Sequence, residues 1–360
     1  MWGNAVGALK HQGENAGLTS CVGRFASERQ KNGFIIQMTF DISIFAIIGF
    51  LFAAYAVVAN DALQTLGTFI NSNRHIHWAG LYAFAVTILI VVFVYGWIQN
   101  GGDPSYGRLT NTAKYPPIDV QWYHTLPPLV LVIITRFGVP VSTSFMVLTI
   151  FATGAGLQSM LTKSLIGYGV AFAVGAVIYA ILTPTLERFF KKTADQAKNP
   201  IWVVLQWTST GYLWSVWLMQ DFANIFVFLP RELSLLEGFG AMGVMAVLLA
   251  ITFATDGGPV QRILKSKSAV TDIRSATIVD FTYATLLFYF KELNDIPMST
   301  TWVFLGLMAG REVMIATIDK IRSPGATFQI VYSDAGKAFF GLVISVILAL
   351  GLPRLAAMAG

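Results

Sequence analysis

Six long apolar runs, at 42–59, 78–98, 165–182, 201–219, 238–254 and 338–352, dominate the chain. Each approaches or reaches the roughly 20 residues that carry a helix across a hydrocarbon core. The runs are continuous rather than alternating, which excludes the strands of a membrane barrel. Trp78, Trp97, Trp202 and Trp217 lie near run ends, where amphipathic rings anchor at an interface. Charged residues make up 12% of the 360, about half the roughly 25% that a soluble surface needs. The expectation is an all-α polytopic protein, multi-pass in the cell membrane, with the lipid bilayer as its first partner.

The net charge of +5 is no nucleic-acid signal, because the basic residues fall in loops beside the spans, where they report orientation. One cysteine, Cys21, excludes an intramolecular disulfide and a multi-cysteine metal site. The segment 1–40 reads as a polar tail without the apolar core of a signal peptide. It is either a surface extension or a product of start-site choice, since Met38 directly precedes the first membrane segment.

The chain also repeats itself. "NDALQ" (60–64) follows the first run and "QDFAN" (220–224) follows the fourth; "GVPVSTS" (138–144) and "DIPMSTT" (295–301) come later in each half. Asp61 precedes Ser142 by 81 residues and Asp221 precedes Ser299 by 78. Two unrelated elements in one order at nearly one separation indicate duplication. The expected organisation is membrane repeat 1 at 41–185, a charged cytoplasmic linker at 186–200 and membrane repeat 2 at 201–355.

Each half is expected to contain interrupted segments. The runs 125–136 and 144–157 are too short to cross, with Gly138, Pro140 and a hydroxyl cluster between them; the stretches 277–293 and 302–315 read the same way. Proline removes an amide and disfavours helix in its predecessor. Non-helical backbone at membrane depth survives only inside protein or beside water. "PVSTS" and "PMSTT" therefore read as re-entrant tips or breaks in discontinuous helices. Paired interruptions in two halves point to a transporter's midplane site.

Three crossings and one hairpin per half would invert the second half relative to the first. Loops 71–77, 186–200, 256–276 and 313–337 then share a face and carry 12 basic residues against 5 on the other. The positive-inside rule puts that face in the cytoplasm.

These elements resemble the inorganic phosphate transporter family, which includes sulfate permeases. That family carries a repeated G-A-N-D-x-x-N element and a repeated P-V-S-T-T element, one of each per inverted half. Here Asn60-Asp61-Ala62-Leu63-Gln64 and Gln220-Asp221-Phe222-Ala223-Asn224 match the first, Pro140-Val141-Ser142-Thr143-Ser144 and Pro297-Met298-Ser299-Thr300-Thr301 the second. Val58 and Leu218 replace the family's glycine, and the amides are partly exchanged, so the fold carries over better than the choice of anion. The resemblance implies cotransport of a dianion with sodium or protons.

The chemistry of the residues fits that implication. A carboxylate at mid-membrane costs at least ~2.5–3.5 kcal/mol on insertion scales, so Asp61 and Asp221 need a partner. No matching pair of lysines stands nearby in sequence, which leaves a bound cation. Sodium takes oxygen ligands, and Asn60, Gln64, Gln220 and Asn224 supply amide oxygens, with Ser142 and Ser299 adding hydroxyls. The anion needs donors, which Ser142, Thr143, Ser144, Ser299, Thr300 and Thr301 offer at helix starts, where the dipole is positive.

The leading expectation is a secondary transporter of inorganic phosphate driven by sodium or proton entry, with no cofactor beyond a coupling sodium ion, a homodimer being allowed but not required. A sulfate permease of the same design is the near alternative. A membrane-embedded enzyme using Asp61 and Asp221 as acid and base is the distant one; no nucleophile constellation or nucleotide-binding motif accompanies them, so the chain is expected not to be an enzyme. Arg136 and Arg311 either attract an anion or snorkel to the interface. Glu312 reads as part of an ion network with Arg311. Gly154, Gly156, Gly167, Gly169 and Gly175 read as close-packing positions.

Overall fold

The computed structural model describes residues 42–58, 62–136, 141–193, 199–255, 272–293, 295, 297–319 and 324–359. Among them there is no strand. The helices are α1 (Ile44–Ala56), α2 (Ala62–Ser72), α3 (Trp78–Gln99), α4 (Leu126–Arg136), α5 (Gly154–Leu182), α6 (Arg188–Lys192), α7 (Pro200–Phe226), α8 (Leu235–Ala254), α9 (Ile273–Leu293), α10 (Thr300–Asp319) and α11 (Pro324–Ala359). Five helical stretches are long and apolar enough to cross a membrane: Trp78–Gln99, Gly154–Leu186, Leu235–Ala254, Thr300–Ile318 and Gly325–Met358. Large apolar side chains such as Val91, Ile98, Val177, Ile181, Val247 and Ile347 point outward, as a lipid-facing surface requires. The protein is an all-α, multi-pass membrane protein.

Sequence dictates the ends of these elements. Asn199 caps α7 by accepting from the Ile201 amide at 3.0 Å, with Pro200 in the first turn, where its missing N–H is no loss. Ser234 and Glu237 form a reciprocal capping box at the start of α8, satisfying two amides that would otherwise lack acceptors.

α7 is the centre of one group, packed on α9, α3 and α2. Trp214 and Trp217 stack at 5.0 Å on its buried face, and the Trp214 indole donates to the Ala85 carbonyl of α3 at 2.9 Å. The second group is α5 against α10, and here glycine decides the geometry. A Cβ on Gly306 would stand 2.3 Å from the Tyr168 carbonyl oxygen, one on Gly310 2.2 Å from that of Phe172, and one on Gly175 2.6 Å from that of Leu307. The backbones touch through a G-x-x-x-G spacing on α10. Of the five glycines expected to pack closely, Gly156, Gly167 and Gly175 do, while Gly154 and Gly169 face open space.

The interrupted segments differ between halves. In the first, α4 has 11 residues, about 16 Å of helix, and a π-helical turn, Ser144–Leu148, leads into α5. In the second, α9 and α10 run for 21 and 20 residues, and the short segments expected at 277–293 and 302–315 are full-length helices. Charged residues break a hydropathy run but not a backbone ladder when they find partners. Arg274 meets Asp272 at 2.6 Å, and Arg311 meets Glu312 at 2.7 Å. α7 likewise continues unbroken through Gln220 to Asn224.

Each motif segment is held by a helix from the other half. The helix after "PMSTT", α10, lies on α5. The turn after "PVSTS" lies against α11, where a Cβ on Gly341 would stand 3.0 Å from the Val141 side chain and the Ser345 hydroxyl meets the Met146 sulfur at 3.6 Å.

Candidate functional site

The two hydroxyl motifs begin their helical segments in the same way. Ser142 Oγ accepts from the Phe145 amide at 3.2 Å, and Ser299 Oγ accepts from the Trp302 amide at 3.2 Å. The carbonyls of Ser142 and Ser299 accept from the Met146 and Val303 amides at 2.9 and 3.4 Å. These are capping bonds of the kind serine provides. The residues three positions past each serine meet one another, Phe145 and Trp302 packing edge to face at 5.4 Å. So the starts of both segments converge.

Asp221 stands where they converge. Its carboxylate is buried to 1% exposure, and both oxygens have donors. Thr300 Oγ1 donates to Oδ2 at 3.0 Å, and the Asn224 amide donates to Oδ1. The same Asn224 nitrogen reaches Ser144 Oγ at 3.2 Å, and Ser144 donates to the Met298 carbonyl at 3.0 Å. One network therefore joins Asp221, Asn224, Ser144 and Thr300, taking members from both hydroxyl motifs. Thr300 is fixed in turn, since its carbonyl accepts from the Tyr283 hydroxyl at 3.0 Å, and the Ser299 amide donates to Ser164 Oγ of α5 at 2.9 Å.

Among the described residues, several buried polar atoms of the motif segments and of α7 have no hydrogen-bond partner: Thr143 Oγ1, Asn224 Oδ1, Gln220 Oε1 and the indole nitrogens of Trp302 and Trp217. Gln220 uses its nitrogen on the Leu287 carbonyl at 3.0 Å, turning the amide towards α9. A buried polar atom left unmatched is costly, and here acceptors (the two amide oxygens) and donors (the hydroxyl and indoles) lie on the two motif segments and on the stretch of α7 that carries Asp221. Thr301 is buried beside them. Of the residues expected to hold the cation, Asn60 and Asp61 lie outside the described residues, as does the side chain of Gln64.

Sequence reasoning missed two cations. Arg108, in the loop after α3, is 2% exposed, and Lys163 on α5 is 5% exposed. Both read from sequence as loop charges that report orientation. Burial pushes the Arg108 guanidinium down to about 10, opposed by the attraction of Asp221, Asp295 and Tyr115. Lys163 has Arg108 and Asp295 as its charged neighbours, and it directly precedes Ser164, the acceptor for the Ser299 amide. A lysine beside a serine directly before an apolar span was a signal available for Lys163. Arg108 offers none, because the loop reaches the site only through folding: Thr153 at the head of α5 bonds Ala113 and Lys114 carbonyls at 2.9 and 2.8 Å. Arg311 is not at the interface; it is 6% exposed, paired with Glu312 and 5.2 Å above the Tyr179 ring. The Arg136 side chain lies outside the described residues.

The arrangement combines two chemistries. A carboxylate with amide and hydroxyl oxygens suits a hard cation. Hydroxyls at segment starts, with buried guanidinium and ammonium groups close by, suit an oxyanion.

No protein-family model matches the chain, and no curated protein matches it. A solved structure, described as "The sodium-dependent phosphate transporter", superposes with a TM-score of 0.58 at 14% identity, covering 86% of this chain and 96% of that one. The chain shares that structure's fold over nearly its whole length.

Proposed function

We propose that the chain is a secondary active transporter that moves inorganic phosphate across the membrane together with sodium or protons. The observation that carries this reading is the network joining Asp221 and Asn224 to Ser144 and Thr300. It links a buried carboxylate directly to Thr300 and, through Asn224, to Ser144, so a cation and an oxyanion bound there would be neighbours. Each would offset the other's loss of hydration, which is coupling in its simplest form.

In this reading Asp221, Asn224 and Gln220, with Asn60, Asp61 and Gln64 from the first half, hold the cation. Ser142, Thr143, Ser144, Ser299, Thr300 and Thr301 hold the anion. Arg108 and Lys163 add fixed positive charge on the anion's side. The matched capping bonds at Ser142 and Ser299 support a pair of related halves, and we read these as inverted in the membrane. The superposition on a structure whose title names sodium and phosphate favours that pair of solutes. Sulfate is the competing anion, since the donors described suit either.

The test is uptake of labelled phosphate and of labelled sulfate into proteoliposomes, with and without a sodium or a proton gradient. Gradient-driven accumulation of phosphate is expected. Uptake that merely equilibrates, whatever the gradient, would mean a passive channel and defeat the proposal.

A further inference from the structure

A second buried carboxylate lies away from this network. Asp280, on α9, is 1% exposed. Thr68 of α2 donates to its Oδ1 at 2.9 Å and Thr210 of α7 donates to its Oδ2 at 2.7 Å. Thr210 and Asp221 are 11 residues apart on one continuous helix, which separates the two sites by roughly 16 Å.

The charges around Asp280 can be named element by element. α2 carries no titratable residue. α7 carries Tyr212, packed on Phe281 and Phe288, and Asp221, already bonded to Thr300 and Asn224. On α9, Arg274 is bound to Asp272, Tyr283 bonds the Thr300 carbonyl, Tyr289 is exposed and packs on Phe290, and Lys291 pairs with Glu292 near the far end. On α10, Arg311 is bound to Glu312, and α5 contributes Lys163, Tyr168 and Tyr179. Among the described residues no basic side chain forms an ion pair with Asp280.

An ionised carboxylate buried without a counter-charge is among the least favourable arrangements a fold can hold. Asp280 must be neutralised, by a metal cation or by a proton. A hard cation wants about six oxygens, whereas the carboxylate and two threonine hydroxyls offer four. Each threonine is also engaged one-to-one with a separate carboxylate oxygen. A proton needs no further ligand. A hydroxyl is both donor and acceptor, so the three side chains accommodate the acid and its conjugate base by turning O–H bonds, without moving heavy atoms.

A polar column runs from the turn at 73–77 towards this cluster and reaches the Thr68 carbonyl, one residue's backbone away from the Thr68 hydroxyl that meets Asp280. One helical turn further, Ser72 follows Thr68 on α2 and Gln206 precedes Thr210 on α7. The Ser72 hydroxyl donates to the Thr68 carbonyl at 2.8 Å, and the Gln206 amide nitrogen donates to Ser72 Oγ. Asn73 donates to Gln206 Oε1 at 2.8 Å and accepts from the Trp207 indole at 3.2 Å. Asn73 and Gln206 are fully buried, and Arg74 and His75 beyond them are exposed or nearly so. This polar column between α2 and α7 ends where α2 ends and where α7 and α9 begin.

We propose that Asp280 is a proton-binding site separate from the Asp221 network, exchanging its proton with water that enters along the polar Ser72–Gln206–Asn73 column. The step is a simple dissociation: the carboxyl O–H breaks, the carboxylate keeps the electron pair, and the proton passes to a water molecule that has entered along the column. That the proton moves during transport rests on the carrier reading above; that Asp280 binds it does not.

Infrared difference spectroscopy of the purified full-length chain, titrated with acid and base in H2O and D2O, tests the site without any solute. The expected result is a protonated-carboxyl carbonyl band near neutral pH, shifted in D2O, lost in Asp280→Asn and kept in Asp221→Asn. Thr210→Val should shift the band's frequency, which keeps the test open if Asp280→Asn misfolds. Absence of the band in the native protein, its survival in Asp280→Asn, or its indifference to Thr210→Val would overturn the proposal. So would carboxylate bands that respond to sodium chloride but not to pH. In proteoliposomes, Asp280→Asn should lose the part of uptake driven by a pH gradient; failure of all phosphate uptake alongside an intact band would reject the carrier reading alone.

Discussion

Thr143 and Thr300 occupy matching positions in the two motifs but not matching circumstances, and substituting each by valine separates their roles. Thr300 donates to the Asp221 carboxylate at 3.0 Å, whereas the Thr143 hydroxyl is buried with no hydrogen-bond partner among the described residues. A hydrogen bond to a charged group contributes about 1.5–3 kcal/mol, or roughly ten- to a hundredfold in affinity. Thr300→Val removes such a bond from the free protein, so it should lower thermal stability and alter the sodium dependence of phosphate binding. Thr143→Val removes no bond from the free protein and deletes a donor that only an incoming anion would use. It should leave thermal stability unchanged or slightly raised, because an unmatched buried hydroxyl itself costs about 1–3 kcal/mol. Phosphate affinity should fall by the same ten- to hundredfold. Equilibrium binding of labelled phosphate to the purified protein, at several sodium concentrations, reads both effects. Unchanged phosphate affinity in Thr143→Val would refute the assignment of this hydroxyl to the anion, whatever Thr300→Val does.

Asp221→Asn and Asp61→Asn should each abolish gradient-driven uptake while the protein stays monodisperse in detergent; near-native uptake in both would remove the carboxylates from the cation site. Arg108→Gln and Lys163→Met should weaken phosphate binding by about tenfold or more, since each deletes a charge acting on the anion, and calorimetry showing unchanged phosphate affinity would dismiss them. Gly310→Ala should lower the melting temperature, because its Cβ would stand 2.2 Å from a backbone oxygen and overpacking costs typically ~1–3 kcal/mol; Gly169→Ala, facing open space, is the control that should melt as the native protein does. Cysteines placed at 186–200 and 256–276 should react with impermeant reagent from one side of the membrane, and one at the exposed Asn111 from the other. A common side for 256–276 and Asn111 would refute inverted halves.

Apolar runs and the duplicated motifs made the class of fold and the neighbourhood of Ser144, Asp221, Asn224 and Thr300 legible in the sequence. Both signals are local, a run of side chains or a string of five. Two things were not legible. The apolar runs 277–293 and 302–315 beside "PMSTT" looked too short to cross, but the helices continue past the ends of those runs, back to Ile273 in α9 and on to Asp319 in α10. Arg108 looked like a solvated loop charge because burial is a property of the folded chain, and no spacing announces a loop that turns back onto α5; Lys163, beside Ser164 at the edge of a span, left a trace that the loop count passed over. Gly306 and Gly310 carry the standard small-residue spacing but stand in a stretch read as broken.

The crossed support of the two motif segments bears on how the protein is made. Chains emerge from the ribosome N-terminus first, so "PVSTS" and its π-helical turn enter the membrane long before their cover exists. The Ser345 hydroxyl that meets Met146 belongs to a residue 199 positions further along. Until α11 is inserted, the first half holds a buried-type surface with nothing on it, and the insertion machinery or a chaperone must shield it through the synthesis of the whole second half. A nonsense codon anywhere before Gly341 therefore does more than shorten the protein. It leaves the first motif segment without the α11 face that Val141 and Met146 pack against in the full-length fold.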